Sequence, residues 1–556
     1  MRKEKSVNVI CEEGSSPYTI VIPEKASVPM KLLAQKLQKD MLPFTTEPIA
    51  IVGENEASEH DKTKEILLYK TARPETKEVL DTLGYTDYAI KMVGTKIVIA
   101  SNSEAGMEEA VERFVRYLDS FRPVALIGKP RAYMSDSFRI DGFVIRFPDE
   151  LPRYEGGVLS GVNDAESSSY TVSIDGTNES EYRAYLALLE KNGYKKYTDN
   201  EISGNLFDIY TGNDMNVYCQ YAPCYGKVKI SAEHKADLPG LEADNVWENK
   251  KVKPFFAMLE MVSVVDTCGF GFVWRLSDGS FIVLDGGIPE YDARYDNTQY
   301  DQLFDFLKKN STTEKIKVAA WLFSHAHNDH IGAFMYLAMK YSPYLDVERV
   351  VYNFPADNVT GEAQAAYQNK FRKCCRMFGR DTKVIHAHTG EKFFIRDAEI
   401  EMLYTLDDFY PNILWQANQG RQPLPYLKHH TYPRDRFEFN DTSFVFSIKL
   451  AGQKMMMMGD ATFLCCDLLV DRYGHYLKSD FVQLAHHGSN GGTLQVYQYI
   501  APDVVMFPVA TVRFNERVRL SLNSYLIDRG IISELFLSGQ GDTVLMLPHK
   551  ISKKYK

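Results

Sequence analysis

Positive charge is scarce in this chain: 64 Lys and Arg stand against 74 Asp and Glu, a net charge of −10. Holding nucleic acid by phosphate neutralisation needs a basic surface, so the balance argues against a non-specific nucleic-acid binder. It leaves room for a nuclease whose metals handle the phosphate locally. Long apolar runs are missing too. Nothing approaches the roughly 18 unbroken apolar residues that span a bilayer, and the opening MRKEKSVNVICEEGSS lacks the apolar core of a signal peptide. The expectation is a cytoplasmic protein without membrane contact, or a secreted one whose signal has been removed. No C-x-x-C spacing occurs among the eight cysteines. Cys374-Cys375 and Cys465-Cys466 are adjacent pairs, poorly disposed to bridge, and Cys219 and Cys224 would pair only on facing strands. All eight read as ordinary buried or half-buried thiols in a reducing compartment.

What the chain does have is length. At 556 residues it exceeds what one hydrophobic core organises, and two to four domains are expected. Residues 1–135 alternate strand and helix patterns. Strands are expected at 18–22 and 66–69, amphipathic helices at 28–42 and 105–118, and a hairpin at 88–100 around Gly94-Thr95. Residues 136–245 form a second small α+β region, with a helix at 181–191 and strands at 206–210, 216–221 and 227–231. Gly212-Asn213-Asp214 supplies the turn between the first two of these strands. Tyr210, Tyr218 and Tyr221 on these strands suit packing of a small sheet better than a sugar platform. Residues 235–253 are polar and Pro-interrupted, as in a linker. The third region, 250–556, opens with three strands near 258–264, 271–275 and 280–284.

That third region holds the chemistry. Ser324-His325-Ala326-His327-Asn328-Asp329-His330 places three imidazoles and a carboxylate within six residues, after an apolar run at 318–323 and before a helix-like one at 331–339. Such groups repel one another when charged and resist burial when unpaired. A divalent cation resolves both problems, since neutral imidazole and ionised carboxylate are ligands for zinc, manganese or iron. Eleven of the thirteen histidines lie at or after His325. Upstream, an apolar run at 280–284 leads into Asp285-Gly286-Gly287. Downstream, the run 455–458 ends in Gly459-Asp460, and 481–485 ends in His486-His487-Gly488-Ser489. Each reads as a buried strand delivering a polar group at its end. The four methionines at 455–458 would face two opposite ways on a strand, which suits burial on both sides better than a copper site.

Asp, H-x-H-x-D-H, G-D and H-H-G-S in this order resemble the successive ligand motifs of the metallo-β-lactamase superfamily. The resemblance covers a little over half of the chain. It implies a C-terminal αββα sandwich preceded by two small α+β domains, a multidomain α/β and α+β fold. It further implies two divalent ions, zinc first with manganese or iron open. His325 and His327 would hold one metal, Asp329 and His330 the second, and Asp460 would bridge. His486 would complete the second site while His487 faces the substrate or moves a proton, the reverse assignment staying open; Asp329 and His487 are the catalytic candidates. Asp285 would orient a ligand histidine. Two such ions bring the pKa of a shared water toward neutrality and stabilise transition-state charge.

Many members carry a further histidine before the bridging aspartate. Here Asn440-Asp441-Thr442-Ser443 stands in its place. That N-x-x-S resembles the subgroup containing the nuclease domain of bacterial DNA-uptake competence proteins and the choline-phosphate esterases of teichoic acids. Asp441, water, His386, His388, His429 or His430 would then supply the missing ligand. His386-Ala387-His388 reads either as a half-exposed pair lining the cleft or as a second ligand pair, and the segment 406–439 as a specificity loop. The pattern of residues 1–135 resembles the small domain that precedes the catalytic barrel in several glycoside hydrolase families, which implies a carbohydrate context. The implied activity is hydrolysis of a phosphodiester, on a small molecule or a polymer that is carbohydrate- or cell-wall-linked. The alternatives are a metal-dependent nuclease, an ester or lactone hydrolase, a di-iron redox protein, and a binding protein with a vestigial site. Against the redox reading, the chain shows no phosphate-loop signature of a flavodoxin-like partner.

Overall fold

The computed structural model describes residues 7–552 other than 57–60, 85–86, 122–129, 145, 167–168, 235, 248–250, 262–269, 290, 293–296, 356–361, 410–438, 490, 519–524 and 527–530. Two compact units result, one built on residues up to Tyr154 with Gly161–Val172, the other on Ser173–Pro355 and the C-terminal residues. The boundary expected at 135 falls inside the first unit, because Arg139–Phe143 pairs antiparallel with Asp87–Val93 at the edge of its sheet. Residues 173–245 share a unit with the C-terminal region.

In the first unit the strand order is Ile51–Gly53, Thr19–Ile22, Glu65–Leu68, Lys96–Ser101, Asp87–Val93, Arg139–Phe143. Period-two alternation turns Ile20, Ile66, Ile97 and Ile99 toward the helices Val28–Met41 and Glu104–Asp119. Val21, Leu67 and Val98 turn the other way, onto Val79 of the helix Pro74–Leu80. Ser27 and Ser103 cap the two long helices through their side chains.

The second unit contains two large sheets. The first runs Lys383–His386, Arg349–Tyr352, Ile316–Leu322, Phe281–Leu284, Phe272–Arg275, Phe255–Met258, Thr543–Met546. The second runs Lys392–Ile395, Ala398–Tyr404, Val445–Leu450, Gln453–Met457, Phe481–Gln483, Val504–Phe507, Glu534–Leu537. One core joins the sheets face to face, with Trp274, Ile282 and Leu322 of the first against Ile400, Met455 and Phe481 of the second. A second core packs the outer face of the first sheet on the helices Gln299–Asn310, Asn328–Tyr341 and Glu362–Cys375. A third packs the outer face of the second sheet on Phe463–Tyr473 and Leu494–Ile500. Four layers in the order αββα result. Met455 and Met457 enter the inter-sheet core while Met456 and Met458 enter the outer one, so the strand is buried on both faces.

The middle region adds four successive antiparallel strands, Lys195–Ile202, Asn205–Gly212, Met215–Ala222 and Lys227–His234, with the helix Glu179–Lys191. Asn213 and Asp214 at φ 50° and 63° make the tight turn expected there. Tyr210, Tyr218 and Tyr221 are buried, and Tyr221 stacks on Tyr182, so these rings pack rather than form a platform. Lys195–Ile202 was not expected; its sequence KKYTDNEI has little apolar content, and pairing with Asn205–Gly212 makes it a strand. Among the described residues Cys219 and Cys224 are free thiols, and no helix is long and apolar enough to cross a membrane.

Candidate metal centre

Parallel pairing aligns the strand ends that carry the motifs. Phe281–Leu284 and Ile316–Leu322 run parallel, so Asp285 and His325 leave the first sheet at one edge. Gln453–Met457 and Phe481–Gln483 run parallel in the second sheet and deliver Asp460 and His486-His487. Asp329 and His330 lie in the first turn of the helix Asn328–Tyr341.

The side chains converge in two groups that share Asp460. One contains His325, His327 and Asp460; the other contains Asp329, His330, Asp460 and His487. In the first, His325 Nε2 and His327 Nδ1 approach to 2.9 Å, and His325 Nε2 lies 3.9 Å from Asp460 Oδ2. In the second, His330 Nε2 lies 3.4 Å from Asp460 Oδ2 and His487 Nε2 3.3 Å from Asp329 Oδ2. His330 Nε2, His487 Nε2 and Asp460 Oδ1 are buried and make no hydrogen bond among the described residues. Buried donors and acceptors left in that state are costly, and a divalent cation is the partner that suits imidazole nitrogen and carboxylate oxygen together. The donor set therefore fits a metal.

Supporting contacts aim these atoms. His330 Nδ1 bonds Asp285 Oδ2 at 2.8 Å, and Asp285 also accepts from the Ser324 amide and hydroxyl at 2.8 Å each. Asp285 is thus placed to orient His330 with its Nε2 toward the centre. His487 Nδ1 donates to the Pro508 carbonyl at 3.1 Å, which reserves its Nε2 in the same way. Phe270 stacks on His330 and meets His487 edge-on, a dry wall on one side. His486 and His487 both have left-handed backbones, at φ 51° and 52°. Such strain in non-glycine residues persists only where the surroundings enforce it.

The electrostatics follow from burial and crowding. Burial and the neighbouring imidazoles of His330 and His327 hold His325 well below its ordinary pKa. Burial opposes charge on His330 as well, but Asp460, Asp285 and Asp329 surround it and hold its pKa well above the ordinary value. Asp460 is kept ionised, against its burial, by His330 and His487.

Other expected residues are placed as follows. His486 stands outside both groups, its Nε2 3.9 Å from Asp460 Oδ2 and 3.4 Å from Asn440 Nδ2; the geometry groups His487 with the donors in its stead. His486 is favoured as the first residue off the strand, but two successive left-handed residues turn the second imidazole inward. Asp441 is buried, accepts from the Thr462 hydroxyl and belongs to neither group. Ser443 accepts from the Asp460 amide at 3.2 Å, so the N-x-x-S segment meets the centre at both ends. His386, half-buried, and His388, buried, belong to neither group. His386 Nδ1 bonds Glu233 at 2.7 Å, and His388 Nδ1 bonds Asp407 at 2.9 Å. Their carboxylate partners claim them, Glu233 from 153 residues away. His429 and His430 lie outside the described residues. Phe270, Ser324 and Arg517, which donates to the His487 carbonyl at 2.6 Å, had no sequence signal beyond proximity to motifs.

No protein-family model and no curated protein matches the chain. Among solved structures, the metallo-β-lactamase fold protein YhfI from Bacillus subtilis aligns over 53% of this chain and 99% of its own, at 11% identity and a TM-score of 0.32. Zn2+-bound PqqB from Methylobacterium extorquens aligns over 53% and 100%, at 10% identity and a TM-score of 0.33. The short form of human tRNase Z aligns over 53% and 99%, at 11% identity and a TM-score of 0.28.

Proposed function

We propose that the chain is a binuclear metal-dependent hydrolase of a phosphodiester borne on a carbohydrate- or cell-wall-linked molecule. The observation that carries this reading is the pair of donor groups sharing Asp460, with buried ring nitrogens aimed inward. His325, His327 and Asp460 would hold one divalent ion, and Asp329, His330, Asp460 and His487 the other. When bound, such ions supply Lewis acidity and an activated water. Around them, Asp285 and the Pro508 carbonyl keep the ligand imidazoles in the tautomer with Nε2 free. Phe270 excludes water from behind His330 and His487. His486, half-buried beside Asn440, is the imidazole left to face a substrate. A diester fits because the first group contains two imidazoles among the described residues, and because N-x-x-S stands where many members of the resembled superfamily carry a further histidine. The acidic chain favours a non-nucleic-acid diester.

The test is hydrolysis of a chromogenic phosphodiester by wild type and Asp460→Asn. Turnover that a chelator abolishes, and that falls at least about a thousandfold in the variant, is the expected result. Two bound metals without diester turnover would redirect the reading to esters or lactones.

A further inference from the structure

The second unit buries another set of charges, between the middle sheet and the αββα layers. Lys229 Nζ donates to the Asp407 carbonyl at 2.7 Å and lies 3.4 Å from Asp408 Oδ1. Ser231 donates to Asp407 Oδ1 at 3.1 Å, and His388 Nδ1 bonds its Oδ2 at 2.9 Å. Thr389 donates to Asp408 Oδ2 at 2.6 Å and Arg472 to its Oδ1 at 2.8 Å. Arg472 also reaches Gln220 of the middle sheet at 3.2 Å. Tyr218 donates to Glu233 and stacks on His388 with ring centroids 3.6 Å apart. Gly390 lets Phe207 approach so closely that a Cβ there would lie 2.0 Å from its ring. A module tethered by a linker does not bury charges this way, since each is costly to bury unless paired.

Asp407 and Asp408 sit on the short helix Leu406–Phe409, which packs on the turn Phe439–Thr442. Tyr404, two residues before that helix, donates to the Asp441 carbonyl at 2.8 Å. The same turn presents Asn440 to His486 and sets the Phe439 ring 5.7 Å from His327. An unbroken path thus leads from Lys229 to the rim of the metal centre.

We infer that the middle sheet is a working part of the catalytic fold, in which Lys229, through Asp407 and Asp408, positions the turn Phe439–Thr442 at the metal centre. Lys229 is a positioning residue; it touches neither donor group. The inference rests on the site being a metal centre only for its catalytic consequence, and the placement of the turn is tested without metal or substrate. Burial pulls the Lys229 ammonium down to about 7. The charged groups facing it are Asp407 and Asp408 from the short helix, Arg472 from Phe463–Tyr473 and Lys227 from its own strand.

The experiment is hydrogen exchange on the full chain, comparing wild type, Lys229→Met and Lys229→Arg. In Lys229→Met, peptides covering 439–450 should exchange at least about tenfold faster while those covering 328–341 stay within twofold. Should Lys229→Met fail to fold, Asp408→Asn removes the partner carboxylate and should show the same local loosening. With two metals still bound, kcat for the diester in Lys229→Met should fall about tenfold, and Lys229→Arg should restore part of it. Unchanged exchange at 439–450, or a uniform rise over the whole unit, would overturn the inference. Loosening of the turn with no diester turnover in wild type would overturn the proposed substrate and leave this inference standing.

Discussion

The tripeptide His-Ala-His occurs twice at the C-terminal ends of parallel strands in the first sheet, at His325–His327 and at His386–His388, and the two copies have opposite fates. The first follows Ile316–Leu322 in the middle of the sheet, where Asp460 and His487 arrive from the facing sheet. The second follows Lys383–His386 at the sheet's edge, where Glu233 of the middle sheet and Asp407 arrive in their place. At the first, the second-group histidines turn Nδ1 toward Asp285 or Pro508 and leave Nε2 inward. At the second, each ring bonds a carboxylate through Nδ1, His386 to Glu233 and His388 to Asp407, while His388 Nε2 lies 3.7 Å from Glu233 Oε1 without a hydrogen bond. The candidate metal centre is thus told from the salt-bridge cluster by the convergence of three or four donor atoms on one point, which among the described residues includes the first pair and not the second; the tripeptide alone does not carry that property.

Substitution should separate the two copies. The largest effect belongs to His327→Ala: diester turnover lost by about a thousandfold or more and metal content reduced, with the first unit still folded. The equivalent change at the second copy, His388→Ala, strands Asp407 and Glu233 in the interior and should cost about 3–5 kcal/mol of stability in a denaturant titration while two metals remain bound. Loss of metal in that variant would break the comparison. Asp285→Asn should weaken metal binding about 10- to 100-fold by releasing the ring of His330, with little change in melting temperature at saturating metal.

The second cluster also carries a pH dependence of definite sign. Burial resists a charged His388, but Asp407 and Glu233 prevail and hold its pKa well above 6.5. Its stabilisation is therefore complete below 6.5 and lost as pH rises through the raised value. Burial likewise resists an ionised Glu233, but His386 and His388 hold it well below 4.5, so its contribution is complete above 4.5 and lost as pH falls through the depressed value. The melting-temperature gap between wild type and His388→Gln should accordingly be larger at pH 6 than at pH 9.5, the smallest effect of the set.

How far the sequence revealed this arrangement depended on how local each signal is. Val28–Met41, Glu104–Asp119 and Glu179–Lys191 carry apolar residues at helical spacing, and the turn at Asn213-Asp214 carries its own chemistry; these were legible. So was the clustering of the polar run His325–His330 at a strand end, because strand, loop and helix follow one another without a gap. Which of His486 and His487 turns inward was not, since strand alternation lapses where both adopt left-handed backbones. Neither was the pairing of His386 and His388 with Glu233 and Asp407, which become neighbours only when the middle sheet is laid in place. Lys195–Ile202 becomes a strand through its neighbour rather than through its own composition.

The most direct test is the metal content of tag-free protein by elemental mass spectrometry, in wild type beside His386→Ala/His388→Ala. The account predicts two metals per chain in both. No metal in wild type after reconstitution, or its loss only when the second pair is removed, would contradict it.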